Sequence, residues 1–257
     1  MKFRVINLTR TPERWTRFVE QNPGIPAERW AAVDGAKLDR QVCIKDGIIT
    51  AANEFTPGAL GVAMSHLTLW RECTAGSEPY HIAEDDVVFR KDLPSIAQSV
   101  LEGLKHWDIV LWGHNLDWPV QVSLAPGTGV TAVQYDHEAL ALDRFQAARV
   151  VPMLAPLISA AGLLCYSISP QGAAHILSQC LPVGNEVATY LVKIKDRHWL
   201  NSGIDVELSR HYARLRAFIA LPLLAVGKND QTASTIRGHL AAIHDYRIAN
   251  RAPSGRS

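Results

Sequence analysis

Glu84, Asp85 and Asp86 stand side by side in the stretch HIAEDDVVF, residues 81–89, between Ile82 and Ala83 on one side and Val87, Val88 and Phe89 on the other. Three adjacent carboxylates repel one another, and apolar flanks make their desolvation costlier still. Such a triplet calls for a positive partner. In a strand, alternate side chains share a face, so Glu84 and Asp86 point one way and Asp85 the other. At the carboxyl end of an α/β sheet they overlook the usual ligand crevice. Hard oxygen donors suit Mg2+ or Mn2+, and such an ion clamps a diphosphate. The competing reading is a solvated acidic turn, or a cap for a following helix.

Other templates for chemistry are absent from the sequence. No Gly-x-Gly-x-x-Gly follows a strand pattern, and there is no phosphate loop and no Gly-x-Ser-x-Gly elbow. His239 and His244 lie five apart without the Glu of a helical zinc-protease motif. The chain has 257 residues with 26 Lys and Arg against 25 Asp and Glu, a balance that argues against a nucleic-acid binder. Cys43, Cys73, Cys165 and Cys180 are too far apart for zinc or redox pairs, which suggests buried thiols in a reducing, cytoplasmic setting. The opening MKFRVINLTR is too charged for a signal peptide. Residues 150–168 approach membrane-span length, but Pro152 and Pro156 interrupt them, so they read as a buried loop feeding a strand.

The elements that would position the acids follow from pattern. KFRVINL reads as a first strand, and Thr11-Pro12 opens a helix that ends at Asn22-Pro23-Gly24. RWAAVDG reads as a second strand closing in a turn. Thr56-Pro57 opens the clearest helix, ending near Gly76, and Ser169-Pro170 repeats the device over QGAAHILSQC. Pro94 to Leu104 suggests a helix, WDIVLWG and LLCYSIS strands, and GIDVEL a strand-like run. This alternation predicts an α/β fold with a mostly parallel sheet. We expect one domain over 1–250, a less regular C-terminal half, and a disordered tail at 251–257.

Five segments, in order, resemble glycosyltransferase family 25, the lipopolysaccharide-type galactosyl and glucosyl transferases. They are VINLTRTPERW, AAVDG, TPGALGVAMSHLTLW with its Gly-x-x-x-Ser-His-x-x-x-Trp pattern, IAEDDVVF and YSISPQGAAHIL. Val62 or Ala63 stands where the family often has Cys, and Ala83 where it has Leu. The resemblance implies a GT-A-like fold: a Rossmann-type nucleotide-binding sheet flanked by helices, with an acceptor-side region toward the C-terminus. It implies a UDP-sugar donor, a divalent metal and inversion at the anomeric carbon.

The same resemblance suggests residue roles. Asp86 is the expected metal ligand, with Glu84 assisting and His239 contributing from the C-terminal part. Asp85 would face the ribose or base. Asn7, Thr9, Arg10 and Arg14, at the first strand end and helix start, suit an anionic nucleotide. Asp34 would meet uracil or ribose, or simply form its turn before Gly35. Ser65 and His66 would touch phosphate or sugar, or pack in the core, with Trp70 on the same helix face. Asp205 is the candidate base for the acceptor hydroxyl, with Glu186 and Asp117 as alternatives.

The expected activity is transfer of a hexose, perhaps galactose, from UDP to a saccharide or lipid-linked saccharide acceptor of surface glycan. The basic segment STIRGHLAAIHDYRIANR would touch an anionic inner membrane face, or pack as a terminal helix. A non-catalytic nucleotide-sugar or glycan-binding module that keeps the fold is the alternative. A metal-dependent phosphohydrolase is less favoured, because no Asp-x-Asp follows the first strand.

Overall fold

The computed structural model describes residues 1–116, 118–132, 141–192 and 195–227, with only the backbone for 190–192 and 195–197. In chain order the elements are β1 (Phe3–Asn7), α1 (Pro12–Gln21), β2 (Ala27–Ala31), α2 (Arg40–Lys45), α3 (Pro57–Thr74), β3 (Tyr80–Glu84) and β4 (Val87–Phe89). There follow α4 (Leu93–Gly103), β5 (Ile109–Gly113), β6 (Val120–Ala125), β7 (Thr128–Ala132), α5 (Leu142–Ala147), β8 (Met153–Ser159), β9 (Cys165–Ile168) and α6 (Pro170–Cys180). The last are β10 (Ala188–Val192), β11 (Lys195–Trp199), α7 (Ile204–Ser209), β12 (Ala217–Leu221) and β13 (Ala225–Gly227).

The proline-opened helices form for a local reason. Thr56 Oγ1 accepts the Ala59 N–H and Ser169 Oγ accepts the Gly172 N–H, each with proline at the first helical position. At α1 only half the device operates. Thr11 donates its hydroxyl to Leu8 O and makes no capping bond.

Nine strands form one sheet in the order β2-β1-β3-β9-β5-β12-β8-β6-β7. Three of its pairings are parallel and five antiparallel. The sheet is therefore mixed, not mostly parallel as the alternation of elements suggested. The cause is β9, which runs antiparallel between β3 and β5, together with the hairpin of β6 and β7 and its partner β8. Part of the expected buried loop at 150–168 is the strand β8, and the strand-like GIDVEL is the helix α7.

Strand alternation splits the core into two layers. Ile6, Ile82, Leu111, Tyr166 and Ile219 face α3 and α6 on one side. Val5, Ala83, Trp112, Cys165 and Ala220 face the other, where Phe18 of α1 and Leu93 and Ala97 of α4 pack. The result is an α/β fold with helices on both faces of the sheet. Among the described residues no helix is long and apolar enough to cross a membrane. The basic C-terminal segment, including His239, and Asp117 lie outside the described residues.

Candidate functional site

The three acids sit where β3 ends. Glu84 is the last residue of β3 and still pairs in register with Ile6 of parallel β1, while its N–H donates to Leu164 O at 2.9 Å. The chain then turns through Asp85 and Asp86, and β4 leaves the sheet to pair with β13. The acids thus lie at the carboxyl ends of two parallel strands, beside Asn7 at the end of β1 and close to the start of α1.

Asp85 is committed to protein. Asn7 Nδ2 donates to its Oδ2 at 2.5 Å, and Arg14 donates to its Oδ1 from Nε at 2.8 Å and from a terminal nitrogen. Arg29 in turn donates to Asn7 Oδ1 at 2.7 Å. The bond to Asp85 raises the Arg14 pKa further, so the guanidinium is permanently charged. Instead of the free carboxylate expected to face ribose or base, Asp85 ties β1, α1 and β3 together. Arg14 also lies 3.6 Å from Asp86 Oδ2.

Glu84 and Asp86 are less committed: Asp86 has the Arg14 ion pair, and Glu84 faces His66 across 3.9 Å. Their side chains keep 32% and 44% of their surface open, yet protein atoms wall the carboxylates on their other sides. Burial, then the charges of Asp205 and Asp85, pushes Glu84 up to about 7, with Arg14 opposing. Burial, then Glu84, pushes Asp86 up to about 7. Asp86 Oδ1 is buried and accepts no hydrogen bond among the described residues. The charge of Glu84 acts on Asp86, while Asp85, in the turn beyond the end of β3, bonds to Arg14.

Asp205 joins them from a distant part of the chain. It stands in the first turn of α7, and its Oδ2 accepts the Gly162 N–H at 2.9 Å. Gly162 has φ +88, and a Cβ there would meet Asn115 atoms at 2.6 Å, so only glycine lets the backbone present this N–H. The charge of Asp205 acts on Glu84 and on His66. His66 is fully buried, and burial lowers it to about 4, so it is neutral near pH 7. Its Nε2 is 3.9 Å from Glu84 Oε1.

Other candidates stand apart from this group. Thr9 is exposed, and Arg10 is paired with Asp34 at 3.4 Å. Asp34 accepts the Ala36 N–H, which makes it a turn-forming residue. Ser65 is spent on backbone: it donates to Gly61 O at 2.8 Å and accepts the Val33 N–H at 2.9 Å. Gly61 admits the backbone of Gly35, since a Cβ on Gly61 would lie 2.6 Å from Gly35 N. The Gly-x-x-x-Ser pattern therefore locks the AVDG turn onto α3. Glu186 is exposed and 3.6 Å from Arg210, and it is not among the charges acting on Glu84.

A second polar cluster escaped sequence reasoning. Cys180, Glu207 and His211 are buried and each offer a metal-ligand atom, all within 4.8 Å of one another. Sulfur, nitrogen and oxygen donors of this kind can coordinate an ion such as zinc. Glu207 already receives Arg210 at 2.6 Å, Asn201 at 2.5 Å and His211 at 3.1 Å, and burial pushes the Cys180 thiol up. The residues come from α6, α7 and the turn beyond, a grouping that no local spacing announces.

A mixed sheet with helices on both faces and an acid mouth at the ends of β1 and β3 is consistent with a GT-A-like α/β fold. The chain belongs to glycosyltransferase family 25: the family model, described as "Glycosyltransferase family 25 (LPS biosynthesis protein)", matches residues 1–190. It is 28% identical over 241 residues to the "Probable inactive glycosyltransferase 25 family member 3" of Rattus norvegicus, covering 86% of this chain and 37% of that protein. It is also 28% identical over 241 residues to the "Inactive glycosyltransferase 25 family member 3" of Mus musculus, covering 86% and 36%. The chain thus spans little more than a third of the length of these relatives. Among solved structures, "Crystal Structure of A197 from STIV" covers 85% of this chain and 81% of its own, at 14% identity and a TM-score of 0.33.

Proposed function

We propose that this chain is a nucleotide-sugar-binding domain whose acid mouth takes the diphosphate of a UDP-sugar together with Mn2+ or Mg2+. One observation carries the reading. The charge of Glu84 acts on Asp86 in a partly buried mouth, and Asp86 Oδ1 is buried with no hydrogen-bond partner among the described residues. Two carboxylates raised toward neutral pH by burial and like charges are a poor arrangement alone and a good one around a cation. Glu84 and Asp86 would hold the ion, and Asp85 holds the turn that aims them. Arg14, already charged and 3.6 Å from Asp86, offers the diphosphate a second positive group. The start of α1, which carries Arg14, favours an anion through its helix N-terminus. His239 would add its imidazole from the C-terminal part.

Binding without turnover is the reading that the names of the two relatives favour. The second reading is transfer of a hexose, galactose foremost, to a saccharide or lipid-linked saccharide acceptor of surface glycan. The charge of Asp205 on Glu84 favours it, because a carboxylate beside the donor mouth can take the proton of an attacking hydroxyl. When bound, the cation supplies Lewis-acid stabilisation to the departing diphosphate. Arg14 keeps that end positive, and Asp205, held by Gly162, keeps the acceptor end basic. This reading goes with a cytoplasmic location, at the inner membrane face when the acceptor is lipid-linked.

Calorimetric titration with UDP-hexoses, in chelator and in Mn2+, tests the binding reading. Cation-dependent binding is expected, and binding unaffected by chelator contradicts it. UDP release with an acceptor extract separates the two readings: release establishes transfer, and tight binding without release establishes the module.

A further inference from the structure

Four side chains form a line from the core to the acid mouth. Trp70 and His66 lie one turn apart on α3, Tyr166 on β9 and Glu84 at the end of β3. Trp70 Nε1 is 2.8 Å from Tyr166 Oη, and Tyr166 Oη is 2.8 Å from His66 Nδ1. Trp70, Tyr166 and His66 have no exposed surface.

The line has a direction. An indole N–H only donates, so Tyr166 accepts from Trp70. Tyr166 has one proton to give, and His66 Nδ1 is its other partner among the described residues. Giving that proton to Nδ1 satisfies all three groups. The opposite arrangement, with Nδ1–H donating to Tyr166, leaves a buried phenolic proton unpaired. Nδ1 therefore accepts, and the neutral ring carries its proton on Nε2. Nε2 is buried, has no hydrogen-bond partner among the described residues, and faces Glu84 Oε1 across 3.9 Å. That gap is beyond a hydrogen bond.

We infer that Trp70 and Tyr166 fix His66 as the Nε2–H tautomer, so that His66 and Glu84 form a clamp for one hydroxyl of the bound sugar. The hydroxyl accepts from Nε2–H and donates to Glu84 Oε1, which leaves Oε2 for the cation. An oxygen about 2.8 Å from both atoms subtends roughly a right angle across the gap, within reach of a hydroxyl's geometry. A position lacking its hydroxyl fills neither role. The same proton removes the Nε2 lone pair, so His66 is a positioning donor and not a metal ligand. The sugar as occupant rests on the proposed donor site, whereas the tautomer rests on the hydrogen-bond line alone.

Long-range 1H–15N spectra of the full chain labelled in histidine test both parts, with the His66 signal assigned by its loss in His66→Gln. The expected wild-type pattern is a protonated Nε2 and a bare Nδ1, and a protonated Nδ1 overturns the proposal. Tyr166→Phe removes the directing proton and is expected to mix or invert the tautomers. Trp70→Phe, a second variant should that one fail to fold, is expected to shift the balance partway. An unchanged pattern in a folded Tyr166→Phe overturns the relay.

Adding UDP-hexose with Mg2+, which is diamagnetic, is expected to move the Nε2–H signal further than UDP with Mg2+ does. One monodeoxy hexose of the series is expected to bind at least tenfold more weakly. Calorimetric binding of UDP-hexose with a signal moved no further than by UDP overturns the clamp alone. No binding of any UDP-hexose overturns the donor reading and the clamp with it, while the tautomer is still read from the unliganded spectrum.

Discussion

Arg14 Nε donates to Asp85 Oδ1 across 2.8 Å, and this bond joins the first helix to the turn that carries the acids. Asp85 is buried, so removing its cation leaves a carboxylate with Asn7 as its remaining side-chain donor among the described residues. Arg14→Ala is expected to lose roughly 1.5–3 kcal/mol of stability, the worth of hydrogen bonds to a charged group. Arg14→Lys keeps the charge but not the fork and falls between. Urea denaturation of the two variants beside the parent checks the order.

The acids also set a pH dependence. Burial and like charges raise Glu84 from 4.5 to about 7 and Asp86 from 3.8 to about 7. Between those limits the native state binds more protons than the unfolded chain, so their contribution to stability falls as pH rises. His66 and His81 act oppositely. Burial lowers each from 6.5 to about 4, so their contribution is present above 6.5 and is lost as pH falls toward 4.

Glu84→Gln with Asp86→Asn removes only the acid part. The Tm of this double variant is expected to exceed that of the parent by a margin that widens from about pH 5 to about pH 8. Mn2+ with UDP is expected to raise the parent's Tm and not the variant's. Thermal scans across pH check both.

Ser65 and Gly61 predict a structural effect with no direct ligand contact. Ser65→Ala leaves the Val33 N–H without its acceptor, at a cost of about 1–3 kcal/mol. Gly61→Ala drives a methyl to 2.6 Å from Gly35 N, a backbone atom that yields poorly, and is expected to cost about as much as other overpacked sites, roughly 1–3 kcal/mol. Chemical denaturation reads both losses.

Asp205→Asn keeps an oxygen for the Gly162 N–H and removes the charge. The Glu84 carboxyl is expected to titrate lower, since Asp205 is the strongest of the charges that raise it. If the chain transfers hexose, turnover falls by about 10²–10⁴-fold, the usual contribution of a general base, while UDP binding with Mn2+ persists. Carboxyl 13C titration and UDP release measure the two effects separately.

Much of this was legible in local pattern. The Thr56-Pro57 and Ser169-Pro170 devices announced α3 and α6; β3 ends at Glu84, so the turn at Asp85 and Asp86 is not read from strand alternation. What local pattern does not encode is partnership at long range. Nothing in LLCYSIS tells that β9 runs antiparallel between β3 and β5, and this, with the antiparallel β6, β7 and β8, turns a parallel sheet into a mixed one. In GIDVEL, Ile204, Val206 and Leu208 alternate like a strand, yet Ile204 and Leu208 are also one helical turn apart, and six residues cannot decide. The backbone partner of Ser65, Val33, lies 32 residues away, beyond any local pattern. Tyr166 and His66 are 100 residues apart, so no local spacing pairs them.

The central claim is a cation held by Glu84 and Asp86 with a diphosphate. Electron paramagnetic resonance of free Mn2+, titrated with the chain in the presence of UDP, tests it most directly. The account predicts that the parent chain removes Mn2+ from solution one to one, and that Asp86→Ala leaves the free signal standing. Equal depletion by both proteins would contradict it.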